Sequence, residues 1–73
     1  MAAREISITN EPEGALAQAI SDAAKGDRIV YHIGAFCAGR HRRDAAKAYE
    51  AGVGLLCCRR VRDGAFAYMV VKR

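Results

Sequence analysis

An α+β fold is expected, with a small antiparallel sheet, two helices and a C-terminal β-hairpin. Three observations predict it. The run Arg28-Ile29-Val30-Tyr31-His32-Ile33 is β-branched and aromatic, as strands are. Leu16, Ala19, Ile20, Ala23 and Ala24 recur at helical spacing, the apolar stripe of an amphipathic helix. Two apolar runs flank Arg62-Asp63-Gly64, and Asp-Gly in that setting is a strong hairpin signal. A chain of 73 residues has room for one core. Residues 1–73 are therefore expected to form a single domain, with residues 1–5 as a flexible start.

The elements follow in chain order. Ile6-Ser7-Ile8-Thr9 alternates apolar and polar and predicts a short, half-buried strand. Asn10 is placed to cap the first helix, with Pro12 in its first turn and Glu13 three residues after the cap. Lys25-Gly26 supplies a stop, a cation followed by a glycine able to turn left-handed. In the central strand, Ile29, Tyr31 and Ile33 are expected on one face and Val30 and His32 on the other. Residues 34–40 are punctuated by glycine and read as a loop. A second helix is expected from about His41 to Ala51. Ala45, Ala48 and Tyr49 would face inward, Arg42, Arg43, Lys47 and Glu50 outward, and Gly52 would end it.

Residues 53–61 and 65–71 are the two hairpin strands. With a two-residue loop, Arg62 pairs with Ala65, Arg59 with Tyr68, Cys57 with Val70 and Leu55 with Lys72. Both hairpin faces carry apolar groups, so the pattern leaves open which one is core. The order helix, strand, helix, basic hairpin also suits a winged-helix relative. The departure is that only one clear helix lies between the central strand and the hairpin, where a helix-turn-helix has two.

Composition narrows the function classes. Hydrophobic residues make up 52%, but alanine supplies 15 of those 38 residues. A large catalytic machine with a cofactor domain does not fit. No apolar run approaches the ~18 residues of a membrane span. The first 25 residues carry several acids and no continuous apolar core, so no secretory signal is read there. A cytosolic protein without membrane contact is expected.

Charge is unevenly spread. Residues 1–39 hold three basic and five acidic side chains, and residues 40–73 hold nine basic and three acidic. A basic half points to an acidic partner, either nucleic acid or an acidic protein face. Two clusters carry the excess. One is Arg40, His41, Arg42, Arg43 and Lys47, at the start of the second helix; the other is Arg59, Arg60 and Arg62, near the hairpin tip. A solvated face is the ordinary reading of such runs. Two features favour contact. Arginine suits bidentate recognition of carboxylate or phosphate. Cations at a helix N-terminus also oppose the helix dipole, a small cost that folding alone does not explain. Arg42, Arg43, Lys47, Arg59, Arg60 and Arg62 are the expected partner-binding residues, and the two clusters could meet where helix and hairpin tip abut.

Catalytic and metal chemistry find little support. Cys37, Cys57 and Cys58 form no CxxC. A zinc site would need Cys37, His41, one of Cys57 or Cys58 and a fourth ligand such as His32, without the paired close spacing usual for structural zinc. Small buried hydrophobes in a reducing compartment are the simpler reading of the cysteines. Cys37 and His41 would make a thiolate–imidazole pair only if they shared a helical turn, and no acidic orienter accompanies them. The glycines make no phosphate-binding pattern. No enzyme activity, cofactor or metal is expected.

Residues 26–36, GDRIVYHIGAF, and residues 52–73, GVGLLCCRRVRDGAFAYMVVKR, carry a resemblance. The pattern is Gly-Asp-Arg, a Tyr-His strand, a Leu-rich strand ending in Arg-Arg, and a returning Phe-x-Tyr. It resembles the small transcription regulators by which lytic phages of plant-pathogenic bacteria bind host RNA polymerase. The resemblance implies a protein of the host bacterial cytoplasm that acts near the N-terminal region of the β′ subunit. It implies weakened σ-factor or promoter engagement, so that initiation falls, and suppressed termination. A monomer is expected. The alternative is a winged-helix-type DNA-binding protein, such as a phage repressor.

Overall fold

A computed structural model describes residues 3–73. The elements are β1 (Glu5–Ser7), α1 (Ala15–Asp22), β2 (Arg28–Gly34), α2 (Arg42–Glu50), β3 (Gly54–Arg62) and β4 (Ala65–Lys72). The fold is α+β, with a four-stranded sheet in the order β1-β2-β4-β3. The C-terminal hairpin is present. The sheet is mixed rather than purely antiparallel, because β1 pairs parallel with β2. The crossover through α1 makes this possible, since adjacent parallel strands need such a connection. A single helix separates β2 from the hairpin, so the two-helix reading unit of a helix-turn-helix is not formed.

Both helices cover one face of the sheet. Leu16 and Ile20 of α1, Ala45 and Ala48 of α2, and Ile29, Tyr31 and Val70 of the sheet are buried together there. Of these, Leu16, Ile29 and Val70 are wholly enclosed. Val30, Ala67 and Met69 form a second buried cluster. The register places it on the opposite face, because Val30 pairs with Met69 while Ile29 pairs with Val70.

The ends of α1 differ from expectation. The helix starts at Ala15, after Gly14 in the left-handed region, with no side-chain cap. Residues 10–14 make turns instead: Glu11 N–H donates to the Ile8 carbonyl and Ala15 N–H to the Pro12 carbonyl. The helix stops at Asp22, and Ala23 is extended. Ala24 therefore lies outside the helical stripe. Two contacts account for the early stop. Lys72 Nζ donates to the Ile20 carbonyl at 2.9 Å, and Asp27 Oδ2 accepts the Ala24 N–H at 3.0 Å. In α2, Ala45 and Ala48 face inward as expected, but Tyr49 is 57% exposed. Its position falls outside the stripe that meets the sheet.

Asp27 also alters the expected start of the chain. It is buried, and it accepts Arg4 N–H at 3.0 Å and the Arg4 guanidinium at 3.0 and 3.2 Å. Arg4 and Glu5 are thus held in place, and β1 spans Glu5–Ser7 rather than residues 6–9. Met1 and Ala2, the rest of the expected flexible start, lie outside the described residues. The Asp27 segment binds the far end of the chain too. Gly26 N–H donates to the Lys72 carbonyl and Lys72 N–H to the Asp27 carbonyl. Gly26 has φ +92, which a side chain would strain.

Two bulges reset the faces. The β2–β4 register shifts between Val30 and His32, leaving Tyr31 as the extra residue. Ile29 and Tyr31 stay on the helix-covered face, but His32 joins them opposite Tyr68, and Ile33 moves to the other face opposite Ala67. In the hairpin, Arg62 pairs with Ala65 across the Asp63-Gly64 loop as expected. A shift between Arg60 and Arg62 then moves every later pair by one residue. Arg59 faces Ala67, not Tyr68; Cys57 faces Met69; Leu55 faces Val71.

Candidate partner-binding surfaces

The first basic cluster lies along an open groove of about 540 Å³ lined by Glu13, Gly39, Arg40, Arg42, Arg43 and Ala46. The loop of residues 35–41 forms part of its wall and is fastened from below. Tyr68 hydroxyl donates to the Ala35 carbonyl at 3.5 Å, and Tyr31 hydroxyl lies 3.5 Å from Cys37 Sγ. The His32 ring packs near Tyr68, with centroids 6.1 Å apart. A Cβ at Gly39 would stand 3.1 Å from His32 Nδ1, so loop and ring are in close approach. Burial, with the Cys37 thiol alongside, raises the Tyr31 pKa well above its ordinary value. This phenol is a packing and hydrogen-bonding group at neutral pH.

Arg40 donates weakly to the Glu11 carbonyl at 3.4 Å. The side chains of Arg42, Arg43 and Lys47 make no hydrogen bond or ion pair among the described residues, and all three are exposed. Asp44 places one acid in the first turn of α2, which partly offsets the unfavourable cations there.

The hairpin arginines are differently placed, and none lines the groove. Arg59 grips Glu5 with two hydrogen bonds of 2.9 and 3.1 Å. This bond lowers the Glu5 pKa and raises that of Arg59. Arg28 lies 3.8 Å from the same carboxylate. Arg60 pairs with Asp63 at 2.9 Å across the turn. Arg62 has no such partner among the described residues. Of the six expected contact residues, Arg42, Arg43, Lys47 and Arg62 present unpaired charge, and Arg59 and Arg60 are engaged within the fold.

The cysteines do not behave as a group. Cys37 is half-buried, while Cys57 and Cys58 are exposed on β3, against the expectation of small buried hydrophobes. The reason is that β3 is an edge strand, with only Gly54 buried. His41 is 1% exposed, and neither ring nitrogen has a hydrogen-bond partner among the described residues. Cys37 and His41 therefore form no hydrogen-bonded pair. Among the described residues, no group of three or more His, Cys, Asp or Glu side chains is placed to hold a metal ion.

Sequence reasoning missed Asp27, whose carboxylate accepts from two backbone N–H groups and from Arg4. These bonds, the backbone ones first, lower its pKa. The Gly-Asp-Arg turn between a helix and a strand was the available signal. Phe36, Ile33, Leu55, Leu56 and Val61 are exposed, and Val61 lies between Arg60 and Arg62 in the chain. No helix among the described residues is long and apolar enough to cross a membrane. No family model, curated protein or solved structure matches the chain.

Proposed function

We propose that this protein binds bacterial RNA polymerase and regulates transcription as a phage-encoded factor in the host cytoplasm, without chemistry of its own. The observation that carries the reading is the groove beside α2, where Arg42 and Arg43 stand exposed and unpaired. Two guanidinium groups held on one helical turn suit bidentate pairing with carboxylates of a protein partner. The resemblance carried by residues 26–36 and 52–73 supplies the partner: host polymerase, near the β′ N-terminal region. Those residues correspond to β2 and the hairpin, three of the four strands. On this reading binding weakens σ-factor or promoter engagement and suppresses termination. A factor bound there acts by occupying part of the σ surface, or by favouring a polymerase state to which σ binds poorly. The second route extends only as far as its differential affinity for the two states.

The test is gel filtration of the purified protein with polymerase holoenzyme from the cognate host, without DNA. Co-elution is expected, with σ lost from the polymerase peak. A functional polymerase that elutes without this protein would sink the proposal. DNA is the second reading, favoured by Arg40, Arg42, Arg43 and Lys47 lying along one helix and its approach. It predicts duplex binding without polymerase and a steep fall of affinity with salt.

A further inference from the structure

β3 is nine residues long and lies at the edge of the sheet. The direction of its backbone groups follows from the bonds around it. Lys72 exchanges hydrogen bonds with the β2 side, donating to Asp27 and accepting from Gly26. Arg73 N–H donates the other way, to the Val53 carbonyl. Antiparallel strands alternate in this respect. Val71, Met69 and Ala67 therefore bond toward β3, and their partners Leu55, Cys57 and Arg59 bond back. The N–H and C=O groups of Leu56, Cys58 and Arg60 point away from the sheet. Among the described residues β3 pairs with β4 alone, and no backbone bond from outside that ladder reaches these groups. Around this open edge Leu55, Leu56 and Val61 are each 45% exposed.

We propose that the open edge of β3 is a docking site for an extended acidic segment of a partner protein, which adds to the sheet as a fifth strand along Leu56, Cys58 and Arg60. The backbone supplies three N–H and three C=O groups in register, the means by which strand addition gains affinity. The leucines offer apolar contact at one end. Arg60 and Arg62 offer charge at the other, and among the described residues Arg60 is held only by Asp63, a wholly exposed carboxylate. Charge selects the occupant. Basic side chains on an edge strand discourage pairing with a like-charged strand, and a second copy brings its own net +4. An acidic strand meets no such barrier. The inference goes beyond polymerase binding, since it holds for any partner bearing such a segment.

The probe is a blocked peptide of alternating glutamate and valine, about as long as β3. The readout is residue-resolved amide hydrogen exchange of the full chain. At saturating peptide the amides of Leu56, Cys58 and Arg60 should slow by about tenfold or more. Those of Leu55, Cys57 and Arg59, already bonded to β4, should change little. A lysine–valine peptide should do nothing. Cys58→Pro removes an outward N–H and leaves the β4 ladder intact, so it should abolish the slowing, whereas Cys58→Ser should keep it. Should Cys58→Pro not fold, Arg60→Glu with Arg62→Glu must lose the effect instead. Three results would overturn the proposal. They are no slowing at millimolar peptide, equal slowing by the lysine peptide, or slowing of the same amides with rising protein concentration alone, which would mark a second copy as the occupant. Polymerase is absent from this assay, so failure of polymerase co-elution and failure of strand docking are separate outcomes.

Discussion

Glu5 and Arg59 sit on strands at opposite edges of the sheet, yet they meet in a two-point ion pair of 2.9 and 3.1 Å. The register puts both on the face away from the helices: Glu5 pairs with Arg28, Arg28 with Val71, and Arg59 with Ala67. The pair therefore crosses over Val30 and Met69, the small apolar cluster on that face. This explains how a face without helices keeps those side chains buried. The Glu5 pKa is lowered, chiefly by the Arg59 hydrogen bond. A lowered folded pKa means stability that is full above the ordinary carboxylate range of about pH 4 and lost as pH falls through the folded value. Glu5→Gln should melt lower than the parent at pH 7, and the gap should close in acid. A gap that persists unchanged at pH 2–3 would show that the pair does not act through its charge.

Asp27 carries the same sign for a different reason. Its carboxylate takes N–H groups from Arg4 and Ala24 as well as the Arg4 guanidinium. Asp27→Ala leaves two backbone donors without their acceptor and should lower the melting temperature clearly. Asp27→Asn should cost less, because one amide oxygen can still accept. Thermal melts from pH 7 to pH 3 check both, and the parent should lose stability across the acid limb where Asp27→Asn does not follow.

Gly54 marks a packing limit. A Cβ there would overlap Val70 Cγ1 and lie 3.7 Å from Ala48 Cβ, so α2, β3 and β4 close on a site without a side chain. Gly54→Ala should cost about 1–3 kcal/mol, the usual range for overpacking a filled core. Urea denaturation measures it. An unchanged midpoint would mean that Val70 repacks freely.

His41 is buried, with both ring nitrogens unpaired among the described residues. Leaving a buried polar group without a partner costs about 1–3 kcal/mol. His41→Leu, similar in volume and apolar, should therefore be neutral or stabilising in a thermal melt. A large loss would reveal a hydrogen bond to the ring formed in solution.

The two basic clusters should separate under mutation. Arg42→Glu with Arg43→Glu removes unpaired charge and should weaken the proposed polymerase binding by about tenfold or more, or ~1.4 kcal/mol, with melting unchanged. Arg59→Ala should act first on stability, since Arg59 holds Glu5. Unchanged affinity in the Arg42/Arg43 variant, with the protein folded, would place the contact elsewhere than the groove.

The fold class and all six elements were legible because each rests on a local pattern. The period of α1, the β-branched run of β2 and the Asp-Gly turn are properties of neighbouring residues. What escaped depends on distant ones. A bulge at Tyr31 or before Arg62 has no local signature, yet each moves the following side chains to the other face. The pairing of Arg59 with Glu5 spans 54 positions, so charge clustering alone counted Arg59 as free. Tyr49 has a core-like side chain, yet it stands outside the Ala45 and Ala48 stripe by which α2 is buried. The groove arginines were legible as a charge run. Their grouping with Glu13 was not, since it depends on how α1 and α2 sit together.

The strand order has a consequence for the order of synthesis. β4 lies between β2 and β3 and is the last of the four strands to leave the ribosome. Before it emerges, β1 and β2 have each other, but β3 has no strand to pair with. The nascent chain thus carries an unpaired leucine- and arginine-rich strand until residues 65–72 are translated. Sheet closure is a late, non-local event, the kind that slows folding through loop-closure entropy. A ribosome stalled just short of β4 would hold a protein whose helices have nothing complete to cover.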